Sequence, residues 1–324
     1  MLALRMGRVA ALATCALIPG MLEGQSAIDP AVAPRAAAMA QNGQRTEATD
    51  MLGRYLATAP HDAAAWLELG RLYLDESREW HLRHHDGDPT GGVLLDFATA
   101  AFDQALELPT DSGPMLRATV EVERAAAFLE KAGWIRLQAE YVIPPELVAP
   151  SYVVEFGRNV ISSCPVGGVL VTGPDLETVA VWTAALSDRV RGDLMLVDPS
   201  RWADARYREA VSDVMGTPDG LPIRAALTRV SAKRPVCLAP GSTVELPAEV
   251  ALVPVRLVRV AGPPAREAPD HLRVTALVGI ELTHPSAVSG ELVELYRIAA
   301  RYNPSLCSGL LLPLGNRSRE ACGR

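Results

Sequence analysis

The sequence has little lysine, few aromatic residues and no excess of positive charge. Its only lysines are Lys131 and Lys233, aromatic residues make up 5% of the chain, and the formal net charge at pH 7 is −7. A nucleic-acid-binding surface needs a concentrated basic face, and binders of single strands need aromatic platforms for base stacking. The composition therefore argues against nucleic acid as a partner.

Signatures of several enzyme classes are also missing. The sequence contains no Gly-x-Gly-x-x-Gly, no Walker loop, no Gly-x-Ser-x-Gly and no His-Glu-x-x-His, the motifs that bind phosphates or place a nucleophile or a catalytic zinc. It has no Cys-x-x-Cys, so a redox pair or a zinc knuckle is not supported. His271 and His284 stand alone in the sequence and are expected to be structural. The sequence therefore gives little support for an enzyme, and no cofactor is expected.

The first 27 residues have the pattern of a secretory signal peptide. Arg5 and Arg8 precede an apolar run over residues 9–22, and a polar stretch with small residues follows. That run is shorter than the roughly 20 residues of a membrane-spanning helix. We therefore expect residues 1–27 to direct export to the periplasm or the cell exterior. A buried N-terminal helix is the alternative.

The same segment contains a second signal. Residues 12–15, ending at Cys15, resemble a bacterial lipobox, in which the cysteine is lipidated and becomes the new N-terminus. Thr14 departs from that pattern. Release after export and anchoring by a lipid on Cys15 both stay open, and membrane contact is expected only through this segment.

Cysteine usage fits export, because four cysteines remain if Cys15 is removed, and disulfides persist in oxidising compartments. Four cysteines allow three pairings. We predict a Cys307–Cys322 bridge, since the apolar segment and the Gly-Asn turn between them let the chain reverse. Cys164 and Cys237 then pair by elimination. Four unrelated buried thiols are the alternative.

The N-terminal half carries a repeat signature. Trp66, Leu69, Gly70 and Tyr73 reproduce the spacing Trp-x2-Leu-Gly-x2-Tyr, and Pro60 stands six residues before the tryptophan. This is the first-helix pattern of a tetratricopeptide repeat. The packing positions of a second helix are also filled. In the preceding repeat they are Ala48, Leu52 and Tyr55, and in the repeat that begins near Trp66 they are Ala98, Phe102 and Ala105. The region thus resembles tetratricopeptide hairpins, with Gly70 where the paired helix leaves no room for a Cβ.

The resemblance is interrupted between Tyr73 and Ala98, where the chain has about 16 residues more than the repeat needs. A third hairpin is predicted from the apolar pattern of residues 116–129 and from residues 135–141. A helical bundle with chance periodicity is the alternative.

The resemblance implies a tetratricopeptide-like helical domain over residues 28–141. Such repeats present a concave groove to peptides or proteins. We expect a protein or peptide partner, bound near Trp66, Tyr73 and the region of Trp80.

Half of the six histidines lie between positions 81 and 85. His81 would share a helix face with His84 or His85, and Asp86 is nearby, so a metal site can be drawn from these residues. No motif completes such a ligand set. An exposed polar loop is therefore favoured, and a metal-responsive binding protein is a weaker alternative.

The composition shifts after Pro144-Pro145, so we place a linker at 142–150 and an α/β domain at 151–324. Predicted strands cover residues 168–172, 194–197, 235–239, 250–260 and 305–314, with helices over 176–186, near 201 and over 287–301. Alternating strands and helices indicate right-handed βαβ units. The predicted fold class is α/β with an N-terminal all-α domain, that is, tetratricopeptide-like hairpins followed by a mostly parallel sheet.

Part of this domain carries a second, looser resemblance. The stretches 168–178, 193–198 and 201–202 are similar to the soluble region of bacterial protein O-mannosyltransferase-like membrane proteins. That family's Gly-Asp-Asn-Asp-Thr-like loop is matched only approximately by residues 173–178, and its multi-pass membrane half is not seen in this sequence. The resemblance implies an accessory periplasmic domain, with an envelope glycan as a second candidate partner, and not a transferase.

Three carboxylates follow two of the predicted strands. Asp175 and Glu177 come after the first strand and Asp198 after the second. Ligands of open parallel sheets bind beyond the carboxyl ends of the strands. The three residues would then act as acid and base or hold a cation. The favoured alternative is that Asp175 and Ser200 cap helix N-termini.

The leading prediction is an exported, non-catalytic interaction or scaffold protein of the cell envelope that uses a tetratricopeptide-like groove. The alternative is an α/β-domain enzyme or a carbohydrate-related accessory protein that uses Asp175, Glu177 and Asp198. Exposed aromatic residues on the groove would favour the first function. Clustered carboxylates with raised pKa values in a deep pocket would favour the second.

Overall fold

A computed structural model describes residues 28–84, 89–107, 112–189, 191–264, 266, 271–314 and 322. The predicted signal segment with Cys15, and the candidate metal ligands His85 and Asp86, lie outside the described residues. Within this part of the chain, helices predominate over a small sheet. No helix described there combines the length and apolar character that crossing a membrane would require.

The N-terminal region is built of helical hairpins, as predicted for an all-α part. They are α1 (Val32–Gln41) with α2 (Arg45–Leu56), α3 (Ala63–Arg83) with α4 (Thr90–Leu106), and α5 (Gly113–Ala132) with α6 (Trp134–Glu140). Asp62 begins α3, because its side chain accepts a hydrogen bond from the Ala65 N–H at 3.0 Å. α3 continues to Arg83, so part of the insertion predicted after Tyr73 lengthens this helix.

Gly70 marks the close approach of α3 and α4. A Cβ at this position would collide with the ring of Phe102, which is fully buried on α4. The absence of a side chain at Gly70 therefore lets the two helices pack closely, as the repeat signature implied.

The C-terminal region alternates helices with short strands. The elements are α7 (Ser151–Ser163), β1 (Val169–Val171), α8 (Asp175–Asp188), β2 (Met195–Val197), α9 (Ala205–Met215), α10 (Ile223–Ser231), β3 (Val236–Leu238), β4 (Val253–Val255), β5 (Val258–Ala261), α11 (Thr275–Thr283), α12 (Ala287–Tyr302) and α13 (Ser305–Ser308). Short 3-10 turns cover Pro145–Leu147, Pro199–Arg201 and Leu312–Leu314.

The five strands form one sheet in the order β2-β1-β3-β5-β4. β1 pairs in parallel with β2 and β3, so that Leu170 lies opposite Leu196 on one side and Cys237 on the other. β5 pairs antiparallel with β3 and with β4. The sheet is therefore mixed, and the prediction of a mostly parallel sheet is wrong for its β5–β4 side.

Two predicted strands differ from the structure. The run 250–260 folds back between Val255 and Val258, where Arg256 has φ +49°, and becomes the β4–β5 hairpin. Residues 305–314 form α13 and a 3-10 turn instead of a returning strand. Pro313 lacks the N–H that a central strand must donate, which disfavours the predicted strand.

The boundary between the apolar clusters lies within α5, before the predicted linker at 142–150. The sheet and its helices form one large cluster that also contains Ala125, Leu129 and Leu137 of α5 and α6. α1 to α4 carry two smaller clusters of their own, one of which includes Val120 of α5. α5 thus packs against both regions.

Both predicted disulfides are present. Cys164, just after α7, is joined to Cys237 in β3, and Cys307 in α13 is joined to Cys322. Both cysteines of the first bridge are fully buried. Two disulfides are consistent with an oxidising, exported compartment.

Candidate functional site

The carboxyl ends of β1 and β2 face helices α3 and α5 across a cavity of about 250 Å³, which we call the junction cavity. Its lining comes from both regions of the molecule: Arg78, His81, Leu82, Thr119, Val122, Glu123, Asp175, Thr178, Val179, Asp198, Ser200, Arg201 and Asp204. This is the edge at which open α/β sheets bind their ligands.

Glu123 of α5 lies at the centre of an ion-pair network in this cavity. Its carboxylate accepts hydrogen bonds from Arg78 of α3, at 2.8 Å from Nε, and from Arg201 after β2. Burial alone would raise the pKa of Glu123, but the two guanidinium groups outweigh it and hold that pKa below its usual value. The network therefore joins α3, α5 and the sheet edge through paired buried charges.

Asp198 also lines the junction cavity, and its carboxylate is engaged there. Oδ1 accepts hydrogen bonds from the N–H and hydroxyl of Ser200 at 2.9 and 2.6 Å, and Arg201 Nε lies 3.4 Å from Oδ2. Burial raises the pKa of Asp198, and the nearby Arg201 opposes that shift. Asp198 thus begins the 3-10 turn as well as facing the cavity.

Asp175, by contrast, is open to solvent. Its side chain is 81% exposed, and the nearest guanidinium nitrogen, on Arg78, lies 4.0 Å away. Asp175 does not cap α8. Pro174 occupies the N-cap position of this helix, and no side chain makes a capping hydrogen bond there. Ser200 likewise donates to Asp198 instead of capping a helix. The predicted capping roles of Asp175 and Ser200 are therefore wrong, and Asp204 caps α9.

The third predicted carboxylate, Glu177, turns away from the junction cavity. It accepts backbone hydrogen bonds from Gly173 at 2.5 Å and from Gly241 at 3.2 Å, which joins the loops after β1 and β3. Burial raises the pKa of Glu177 to about 7, and the two backbone hydrogen bonds oppose that shift. The structure brings Asp175 and Asp198 to one cavity and places Glu177 outside it.

The aromatic residues predicted to bind a partner are half-buried in helix packing. The Trp66 indole N–H donates to the Pro60 carbonyl at 2.8 Å. Tyr73 packs on Phe97 with ring centroids 5.4 Å apart, and Trp80 stacks on His84 at 3.8 Å. None of the three lines the cavities at the junction of the two regions, so their role in binding stays a prediction.

The histidines divide between two environments. His81 lines the junction cavity, and its pKa is lowered first by burial and then by the charge of Arg201. The ring of His84 stacks on Trp80. Among the described residues, no group of three or more His, Cys, Asp or Glu side chains is placed to hold a metal ion. The alternative of a metal site stays untested, because His85 and Asp86 lie outside the described residues.

Two further cavities adjoin the junction cavity. One of about 490 Å³, the α12-side cavity, shares Arg78, Thr119 and Asp175 with it and reaches Val288 and Glu291 of α12. Another of about 860 Å³, the α9-side cavity, shares His81 and lies between α5 and α9. We call the three together the junction groove, since they adjoin one another and share lining residues.

Sequence reasoning missed Arg78, Glu123 and Arg201. A signal for Glu123 existed, because it lies four residues after Thr119 and three before Ala126, on a face of α5 that the apolar pattern buries. A charged residue at such a position needs a buried partner. The identity of the two arginines could not be read from that pattern.

Comparison of the chain with family models, with curated proteins and with solved structures finds no match. The tetratricopeptide and O-mannosyltransferase resemblances therefore stay predictions. The site has to be interpreted from its own geometry.

Proposed function

We propose that this chain is an exported, non-catalytic interaction protein of the cell envelope that binds an extended segment of a partner along the junction groove. The observation that carries the proposal is that three cavities adjoin one another between the two regions and share lining residues. α3 and α5, the first helices of two hairpins, form one wall of the groove. The groove of the proposed tetratricopeptide-like platform is thus completed by the sheet edge.

The engagement of the charged groups supports binding over catalysis. Glu123 is bonded to two arginines, and Asp198 is bonded to Ser200 and close to Arg201. A general acid or base must be able to reach a substrate proton. Buried groups that already satisfy one another are better suited to fixing the shape of a groove.

Export is proposed from the signal pattern together with the two disulfides. N-terminal sequencing of protein from the native host should find mature chains that begin between about Cys15 and Ile28. Recovery of chains with intact Met1 from the cytosol would contradict export.

The groove is tested by site-specific photocrosslinking in the native envelope. Leu82 lines the junction cavity and is 62% exposed, whereas Leu282 of α11 is 79% exposed and lies outside the groove. A photoreactive amino acid at position 82 should yield a discrete crosslinked partner that position 282 does not. Equal products from both positions, or none from position 82, would contradict the proposal.

An enzyme or accessory protein that acts on an envelope glycan is the second candidate, and one observation favours it. Asp175 and Asp198 lie at the ends of neighbouring parallel strands and line the same cavity. The wild-type chain and its Asp175→Asn variant would be incubated with purified envelope glycan. Products released by the wild type and not by the variant would establish this function in place of the first.

A further inference from the structure

The α12-side cavity combines an apolar floor with a rim of carboxylates. The floor is formed by side chains from α3, α5, α8 and α12: Leu74, Met115, Leu116, Leu176 and Val288. Asp75, Asp175 and Glu291 stand around it. A ligand that fits this cavity must offer apolar surface and positive charge together.

The two arginines of this cavity neutralise its rim only in part. Arg71 lies 3.4 Å from Glu68, which is not among the lining residues. Arg78 makes its close bond, at 2.8 Å, to Glu123, and lies farther from Asp75 and Asp175, at 3.7 and 4.0 Å. Three carboxylates thus face two guanidinium groups, each of which is also paired with a glutamate outside the lining, so negative charge is in excess around this cavity.

The rim carboxylates also repel one another. Partial burial raises the pKa values of Asp75 and Glu291, and the charge of Asp175 adds to both shifts, whereas the charges of Arg78 and Arg45 oppose the shift at Asp75. A cation placed among these three groups would remove that repulsion. An anionic ligand such as a phosphate or a uronic acid would increase it.

From this charge complementarity we propose that the α12-side cavity receives a lysine or arginine side chain, with a neighbouring apolar residue, from an extended segment of the partner protein. The aliphatic stem of the basic side chain packs on the apolar floor, and its charged end meets Asp75, Asp175 and Glu291. This inference rests on the proposed function, because it names the chemistry of the segment that the junction groove binds.

The first measurement is fluorescence anisotropy with the full chain, its disulfides intact, and three labelled, end-blocked octapeptides. Leucine alternates with lysine in the first, with serine in the second and with glutamate in the third. We expect the lysine peptide to bind and the other two to bind at least about tenfold more weakly. Equal binding of the lysine and serine peptides would overturn the inference.

Matched variants separate the cavity from the general negative charge of the protein. Asp175→Asn with Glu291→Gln removes two charges from the rim, and Glu245→Gln with Glu249→Gln removes two exposed charges outside the groove. The rim variant should weaken the lysine peptide about tenfold, and the control variant by no more than about twofold. Equal weakening by both would show non-specific attraction and overturn the inference.

The two proposals fail in different ways. If position 82 still crosslinks a partner while the lysine peptide shows no preference for the intact rim, the basic-segment inference is wrong and the groove proposal stands. If position 82 crosslinks nothing while the rim variant still weakens the lysine peptide, the cavity binds cations without serving the proposed function. Thermal unfolding followed by circular dichroism checks that every variant is folded.

Discussion

The two regions of this molecule are held together by different means. α1 to α4 pack through small residues, with Ala36, Ala48, Ala65 and Ala98 fully buried in two modest clusters. The sheet region instead buries its largest side chains in one continuous core, among them Trp182, Tyr207 and Tyr296, and both disulfides lie there. The helical region thus has two small apolar cores, whereas the sheet region has one large core and two covalent ties.

α5 separates the two regions and belongs to both. It is buried on most of its circumference, yet Glu121 and Glu123 are among its buried residues. A helix buried all round is normally apolar. The charged pairs on α5 therefore fix how the regions meet, while apolar packing on its two sides supplies the stability.

The largest effect should come from breaking the network between the regions. Glu123→Ala leaves the buried Arg201 without its main partner and should lower the free energy of unfolding by about 3–5 kcal/mol. The measurement is chemical denaturation. The control is Glu140→Ala, which breaks the exposed Arg136–Glu140 pair and should change stability little. Similar losses in both variants would show that the network does not fix the junction.

The second, smaller effect concerns two acidic groups, Glu177 and Glu79, whose pKa values shift in opposite directions on folding. The pKa of Glu177 in the sheet region is raised to about 7, so folding favours its protonated form. Ionising Glu177 in the folded protein therefore costs free energy. This cost should be absent below pH 4.5 and should grow to at most about 3 kcal/mol as pH rises through 7. Glu177→Gln should therefore flatten the dependence of stability on pH between 4.5 and 7 in chemical denaturation, although its single acceptor oxygen can keep only one of the two backbone hydrogen bonds.

In the helical region, the pKa of Glu79 shifts in the opposite direction. The hydrogen bond from Arg45 to Glu79 lowers the pKa of that carboxyl group. Its contribution to stability is present above the usual pKa of glutamate and is lost as pH falls through the lowered value. Glu79→Gln should thus remove stability at neutral pH and leave the profile of Glu177 intact. A stability profile that Glu177→Gln does not alter would mean that Glu177 is ionised at no cost.

The smallest effects test how each region achieves close helix approach. A Cβ at Gly157 of α7 would collide with the backbone carbonyl of Ala180 on α8, which cannot move aside. At Gly70 the obstacle is the Phe102 ring, a side chain that can shift. Both Gly→Ala changes should destabilise by about 1–3 kcal/mol, with the larger loss at Gly157. Thermal unfolding measures both.

Gly53, in the last turn of α2, provides the control because nothing lies within 4 Å of a Cβ built there. Gly53→Ala should stabilise the protein by about 0.5–1 kcal/mol through helix propensity alone. A stabilising change at Gly157 would contradict the close packing of α7 on α8.

Much of the backbone could be predicted from local pattern. β1, β2 and β3 are buried apolar runs bounded by turn residues, and the helix after β1 was predicted within two residues of its ends. The β4–β5 hairpin could not be predicted, because alternation continues through Arg256 and Leu257, which carry no turn signal. Residues 305–314 form a short apolar run, which periodicity does not assign to helix or strand.

The site was predictable only where it follows from strand ends. Asp175 and Asp198 were found because parallel strands place their carboxyl ends together. Glu177 was grouped with them, although two residues along a helix turn a side chain to nearly the opposite side. Arg78 and Glu123 come from distant parts of the chain, and their meeting with Arg201 depends on how α5 packs, which no local pattern contains.

The proline in β4 has a consequence for self-association. β4 is the outer strand of the sheet, and its residues Val253 and Pro254 are exposed. An exposed apolar edge strand is a template on which another chain can add and start aggregation. Pro254 has no N–H to offer such a strand, and the edge is only three residues long. The β4 edge is thus protected against growth of the sheet from one molecule into the next.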